Sequence, residues 1–246
     1  MKIVSYNLHF GGNKGTGNPW HRMLQEFGPD IVFAQETFDP VKYLSPEGMA
    51  GIKGRVWTNV PGRSWGSAIL SRQHKLEPML LPGFEGSVVG ARLDSLSIGE
   101  VQQPAILCSL HAPSPGPYVP VVNRILDAIG REWSRTPLIL AGDFNVTTAL
   151  RHANEPGAPP PNSAGEQKLL TRLRMEFGLV NAWQVLHPNE YLLQTLRWNG
   201  KPSVPYHCDA IFVSHSLLPR LVSAGVSQGE AWDRMSDHNP IVAEFN

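Results

Sequence analysis

Cysteine is nearly missing from this chain: Cys108 and Cys208 are all it has, and each stands inside an apolar segment. Two cysteines make neither a disulfide framework nor a structural zinc site, so both are expected as small buried thiols in a reducing compartment. Net charge is missing as well, with 21 basic residues against 21 acidic ones. A neutral protein does not draw in polyanions from a distance, which argues against a general nucleic-acid coat and leaves room for a local basic cleft. No run is long and apolar enough to suggest a membrane span. The opening MKIVSYNLHFGG has no signal-peptide stretch and goes straight into a strand-like pattern. A cytoplasmic protein without stable membrane association is expected. Walker A, GxSxG and GxGxxG motifs are lacking too, so nothing points to a P-loop NTPase, a serine hydrolase or a dinucleotide-binding enzyme.

What the chain does have is 41% hydrophobic content over 246 residues, enough for one sizeable core, and one domain spanning residues 1–246 is expected. Short apolar or alternating runs recur, each stopped by Gly, Pro or polar clusters. Strands are predicted at Lys2–Leu8, Ile31–Gln35, Gly66–Ser71, Ser87–Leu93, Pro104–Leu110, from Leu138, at Asp209–Val213 and at Pro240–Phe245. Helices are predicted at Pro19–Phe27, capped by Asn18 and stopped by Gly28, at Val121–Trp133 and at Glu166–Phe177. Strands spread along the whole chain with helices between them imply an α/β (α+β) sandwich, with mixed β-sheets and not a pure βαβ winding. The low-complexity stretch Glu155–Gly165 is expected to be an inserted loop.

Several predicted strands end in residues that a core would not choose. Asn7 follows KIVSY, Glu36 follows IVFAQ, His111 follows ILCSL, and Asp143 with Asn145 follows LILAG. Asp209 opens a strand, and Asp237 and His238 lie in the last loop. Each alone has an ordinary explanation as a cap, an Asx-turn or a satisfied core histidine. Together they form a set of carboxylates, amides and imidazoles on strand ends, which tend to gather on one rim of a sandwich. Hard-cation chemistry needs such a set: Glu36 and Asp237 offer oxygen ligands for Mg²⁺, and a bound cation would offset the cost of burying their charge.

The ordered series SYNL, AQET, WGSAILSR, LHAPS, AGDFNVT, HCDAIFVS and MSDHNPIVAEF resembles the endonuclease/exonuclease/phosphatase superfamily, the fold of deoxyribonuclease I and exonuclease III. The resemblance runs from Ser5 to Phe245. It implies two packed mixed β-sheets flanked by helices, and a Mg²⁺-dependent phosphoesterase for which Mn²⁺ can substitute. On this resemblance, Glu36 is the main metal carboxylate, Asn7 supports metal and phosphate, and Asp237 is a second metal-site acid. Asp143 orients or deprotonates the attacking water with Asn145 as its partner at the phosphate. His111 lies beside the scissile phosphate, and His238, oriented by Asp209, faces a phosphoryl oxygen. Thr195 resembles a threonine that the family often places before the Asp209 segment.

The branch is mixed. Phe38 follows Glu36–Thr37 where apurinic-site endonucleases carry a lysine, and His111 stands where they carry a tyrosine. LHAPS looks like the deoxyribonuclease I pattern, yet RSWGSAIL lacks the acid that this branch uses to orient its histidine. The leading expectation is a monomeric nuclease acting on nucleic acid. Arg63, Trp65, Thr195, Arg197 and Trp198 are its candidate substrate contacts, because aromatics beside arginines can stack bases and hold phosphates. A phosphatase or phosphodiesterase of a small-molecule, phosphoinositide or lipid-headgroup ester is the alternative. An inert scaffold that retained the fold is the remote one.

Overall fold

The computed structural model describes residues 1–11, 18–98, 101–113, 116–133, 136–152, 154–155, 161–198 and 206–246. Residues 156–160 of the low-complexity stretch lie outside them. Twelve strands form two six-stranded mixed sheets among these residues. The first sheet contains β1 (Lys2–Asn7), β2 (Ile31–Thr37), β3 (Gly54–Asn59), β4 (Gly66–Ser71), β11 (Leu221–Val226) and β12 (Ile241–Phe245), in the order β11-β12-β1-β2-β4-β3. The second contains β5 (Glu77–Met79), β6 (Val88–Ile98), β7 (Val101–His111), β8 (Leu138–Asp143), β9 (Leu179–Asn181) and β10 (Asp209–Ser214), in the order β5-β6-β7-β8-β10-β9. The longer helices are α1 (Pro19–Phe27), α3 (Tyr118–Glu132) and α4 (Ala164–Met175); the short ones are α2 (Pro46–Ala50), α5 (Ala182–Leu186) and α6 (Glu230–Asp233). No helix among the described residues is long and apolar enough to cross a membrane.

The period-two alternation of each strand builds the layers. Along β8, Ile139 and Ala141 face the other sheet and, with Leu107 and Ile211 of the neighbouring strands β7 and β10, share a core with its Ile3, Phe33 and Ile69. Leu138 and Leu140 face the opposite way, onto a core with Ile125 and Ile129 of α3 and Leu169 and Leu173 of α4. Along β1, Ile3 enters the inter-sheet core while Val4 and Tyr6 pack beneath Trp20 and Met23 of α1 and Trp232 of α6. Four layers result, helices outside and sheets within.

α1 forms as its sequence dictates. Asn18 Oδ1 accepts from the backbone N–H groups of Trp20 and His21, and Gly28 ends the helix at φ 54. α4 starts two residues earlier than its apolar periodicity suggests, because Ser163 and Glu166 complete a capping box. The free thiols Cys108 and Cys208 are buried, and burial pushes both well above the usual thiol range, which keeps them unreactive.

Candidate active site

Strand register brings the polar residues together. β7 runs parallel to β8 with His111 opposite Asp143, and β10 runs antiparallel to β8 with Asp209 opposite the same Asp143. Three adjacent strands therefore end in His111, Asp143 and Asp209 on one rim. The residue before Asp143 has to be glycine: Gly142 sits at φ 143, and a Cβ there would meet the Leu110 carbonyl oxygen at 1.9 Å. The other sheet contributes Asn7 from the end of β1 and Glu36 from a bulge in β2, between Ala34 and Thr37. Glu36 has φ 47, an expensive backbone for a side-chain-bearing residue.

Asp143 Oδ2 is the focus of the cluster. Asn7 Nδ2 donates to it at 3.1 Å and Asn145 Nδ2 at 3.2 Å, while His238 Nε2 stands 3.7 Å away and His111 Nε2 3.9 Å. The backbone N–H of Asn145 donates to Asp143 Oδ1 at 2.9 Å, closing an Asx-turn. Phe144 points away and packs edge-on against Phe212, with ring centroids 5.2 Å apart. Asn145 comes back to the site through a left-handed turn, φ 53, and not as the next residue of an extended strand. Asp143 is only 1% exposed, and burial raises its pKa above the usual carboxylate range, opposed by His238 and His111 and reinforced by Asp209.

His238 is gripped from behind: its Nδ1 lies 2.9 Å from Asp209 Oδ2 and 3.1 Å from Oδ1. Burial depresses its pKa, but the carboxylates of Asp209, Asp143 and Asp237 outweigh burial and lift it to about 10. The ring is therefore an imidazolium at neutral pH, with Nε2 turned toward Asp143. Ser236 fixes its loop, donating from Oγ to the Asn7 carbonyl at 2.8 Å and accepting from His238 N–H at 3.1 Å.

Glu36 Oε1 accepts from Asn7 Nδ2 at 3.2 Å and lies 3.3 Å from His111 Nε2. Its second oxygen, Oε2, is buried without a hydrogen-bond partner. Glu36, His111 and Asp143 bring ligand atoms within 4.8 Å of one another, as do Asp143, Asp209 and His238. Asp237 stands outside both groups, half-buried at the rim, where its Oδ1 pairs with His9 Nδ1 at 3.1 Å. Burial raises the Asp237 pKa, yet the His9 hydrogen bond and the His238 charge outweigh it and hold the carboxyl below its ordinary value. His9 is raised in turn, chiefly by its bond to Asp237. This histidine was not expected from the sequence; its one signal there is its spacing of two from Asn7.

The five expected substrate contacts divide. Trp65 reaches the site, its ring 5.8 Å from His111, and Arg63 and Trp198 are exposed. Thr195 and Arg197 are buried, and their hydrogen bonds go to backbone and side chains around the site. Thr195 Oγ1 accepts from the backbone N–H groups of Cys208 at 2.9 Å and Asp209 at 3.1 Å, which fixes the start of β10. Arg197 donates to the Ser236 carbonyl at 2.5 Å, the His238 carbonyl at 3.0 Å and Asn239 Oδ1 at 2.6 Å, and it pairs with Asp233 at 3.0 Å. Its guanidinium is committed to the last loop because that loop turns two backbone carbonyls and the Asn239 side-chain amide inward.

The family model described as the Endonuclease/Exonuclease/phosphatase family matches residues 4–238. No curated protein sequence matches the chain. Among solved structures, an AP endonuclease from Archaeoglobus fulgidus is 19% identical, with 100% of this chain and 99% of that one covered at a TM-score of 0.70. The Neisseria 3′ phosphatase NExo, bound to a product DNA hairpin, is 21% identical over 100% and 99% at 0.70. The Xenopus laevis APE2 catalytic domain is 17% identical over 100% and 91% at 0.73. At these identities the likeness speaks to the fold.

Proposed function

Because the chain belongs to the endonuclease/exonuclease/phosphatase family, we propose that it is a divalent-metal-dependent hydrolase of phosphodiester bonds with nucleic acid as its substrate. The observation that carries this reading is the convergence of Asn7, His111, Asn145 and His238 on Asp143 Oδ2 at one rim of the sandwich. The residues present fit a hard cation. Glu36 Oε2 is buried without a partner, the candidate ligand atoms come from carboxylates and imidazoles with the Asn7 amide beside them, and no thiolate is among them. Glu36 would hold Mg²⁺, or Mn²⁺ in its place, with Asn7 beside it and Asp237 at the rim. Such an ion, when bound, neutralises charge on the phosphate oxygens.

The protein's own groups supply the rest. Asp143 accepts the proton of an attacking water, a task suited by a carboxyl whose pKa burial has raised toward neutrality. Asn145 and Asn7 fix the rotation of that carboxylate, so the water is held in line. His238, held cationic by Asp209, offers Nε2–H to a phosphoryl oxygen as charge builds there, and His111 offers a second imidazole beside it. Thr195 and Arg197 are positioning residues for Asp209 and His238 respectively. Trp65 and the exposed Arg63 and Trp198 are the remaining groups for holding substrate.

The two sheets share one inter-sheet core, which supports a single domain over residues 1–246, and we take it to act as a monomer. Two buried, unpaired cysteines support a reducing, cytoplasmic setting. DNA-bound NExo supports nucleic acid as the substrate class in preference to a small ester.

The test is cleavage of labelled single-stranded and duplex DNA and RNA with Mg²⁺, with EDTA and with an Asp143→Ala control. Cleavage that EDTA and the variant both abolish is expected. Turnover of small soluble phosphoesters alone would move the assignment to a phosphatase. Mg²⁺ binding in calorimetry without turnover of any ester would leave an inert member of the fold.

A further inference from the structure

β1 does not simply stop after Asn7. His9 and Phe10 are both left-handed, φ 44 and 59, and Gly11 continues at φ 86. Two consecutive side-chain-bearing residues in that region are costly and persist only where the surroundings over-determine them. Here they do. Leu8 N–H donates to the Gln35 carbonyl at 2.9 Å, His9 N–H to Asn7 Oδ1 at 3.0 Å and Gly11 N–H to the Glu36 carbonyl at 3.1 Å. A side chain at Gly11 would run into Phe38, whose ring lies 2.6 Å from where a Cβ would be.

The product of this turn is an aromatic ring facing water. Phe10 is 44% exposed, so packing does not explain why it is held so firmly. Its ring meets Trp65 edge-on at 5.2 Å and His9 at 5.0 Å, and Trp65 meets His111 at 5.8 Å. The rings thus form a row that starts at His111, within the catalytic cluster, and ends at the surface. Arg63 is exposed on the turn that carries Trp65.

We propose that Phe10 and Trp65 form a stacking ledge for an unpaired nucleobase next to the scissile phosphate, so that this enzyme acts on single-stranded or frayed nucleic acid. The proposal rests on the phosphodiesterase reading above and narrows its substrate. A base is the occupant that the ledge fits, since it has a flat apolar face and is tethered to the phosphate that the neighbouring groups hold. In a duplex that face is covered by its neighbours and must be unstacked before it can be bound. With zero net charge, the protein has no long-range field to gather a polyanion, so affinity must come from such local contacts.

The experiment compares single-stranded oligonucleotides that differ only in carrying a base or a base-free tetrahydrofuran residue beside the cleaved bond. Anisotropy binding in Ca²⁺ and cleavage in Mg²⁺ are both read. Wild type should favour the base by about 5- to 150-fold, the range seen for one stacked base. Phe10→Ala and Trp65→Leu should reduce that ratio toward one, and Phe10→Tyr should keep it. Cleavage with no base preference, or a preference unchanged in Phe10→Ala, overturns the ledge and leaves the phosphodiesterase reading standing. Base-dependent binding without cleavage supports the ledge and counts against the hydrolytic reading. Neither binding nor cleavage overturns both.

Discussion

Replacing Asp209 by Asn tests the electrostatic core of the site while leaving its shape nearly intact. In the wild type, His238 Nδ1 sits 2.9 Å from Asp209 Oδ2, both side chains are buried, and the ring's pKa stands near 10. The folded pKa lies above the ordinary 6.5. The pair therefore contributes its full stability below about pH 6.5 and loses it as pH rises through about 10. At about pH 8 some 99% of wild-type rings carry the proton. Removing the Asp209 charge takes away the leading contribution that opposes burial. If the pKa fell back to about 6.5, roughly 25% of rings would be charged at about pH 7 and about 3% at about pH 8. Protonation alone then costs roughly 4-fold in kcat/KM at neutrality and about 30-fold one unit higher, beyond any loss of ring orientation. Breaking a buried pair on one side should also lower stability by about 3–5 kcal/mol below about pH 6.5. The assay is kcat/KM against pH on a cleaved oligonucleotide, with ¹⁵N NMR of the His238 ring to read its protonation directly. An Asp209→Asn protein that keeps its alkaline activity and a charged His238 at about pH 8 would refute the reasoning, because Asp143 would then suffice to hold the proton.

Asp143→Asn should abolish turnover and yet raise stability. Burial lifts the folded pKa from 3.8 to about 6, so stability is lost as pH rises from the unfolded value through the folded one, and the variant should gain about 1–3 kcal/mol at about pH 7.5 by thermal unfolding. His207 is a buried neutral ring beside Trp183, its Nδ1 2.7 Å from the Leu193 carbonyl, and burial pushes its pKa down to about 4. A depressed pKa contributes stability that is full above about pH 6.5 and is lost as pH falls to about 4, worth about 3 kcal/mol; His207→Phe should flatten that limb in urea titrations. Arg197→Lys should lower stability by about 2–4 kcal/mol and reduce kcat through a loosened His238 loop while KM stays within about 3-fold, because the fork of three acceptors and Asp233 cannot be matched by one ammonium. A KM that rises with kcat unchanged would return Arg197 to the substrate.

The sequence carries the site better than the edges of the sheets, for a physical reason. A residue such as Asp143 or Glu36 conflicts with the apolar strand before it, and the conflict is visible without any coordinates. Central strands such as β8 are buried on both faces and read as unbroken apolar runs. Edge strands give no such signal: β5 is three residues with a proline at its centre, β9 is three residues, and in β3 and β11 polar or small residues interrupt the apolar ones. Arg197 was equally illegible, since an arginine beside a tryptophan reads as a substrate contact until the loop it braces, about forty residues later in the chain, folds over it. The backbone turns at His9–Phe10 and at Asn145 were hidden for a related reason. Left-handed φ is forecast from glycine, and here it is imposed on other residues by hydrogen bonds from the neighbouring strand and from Asp143 itself. Strain held in place by partners distant in sequence leaves no local trace, so the positions where local rules fail are those where two sheets meet to build the site.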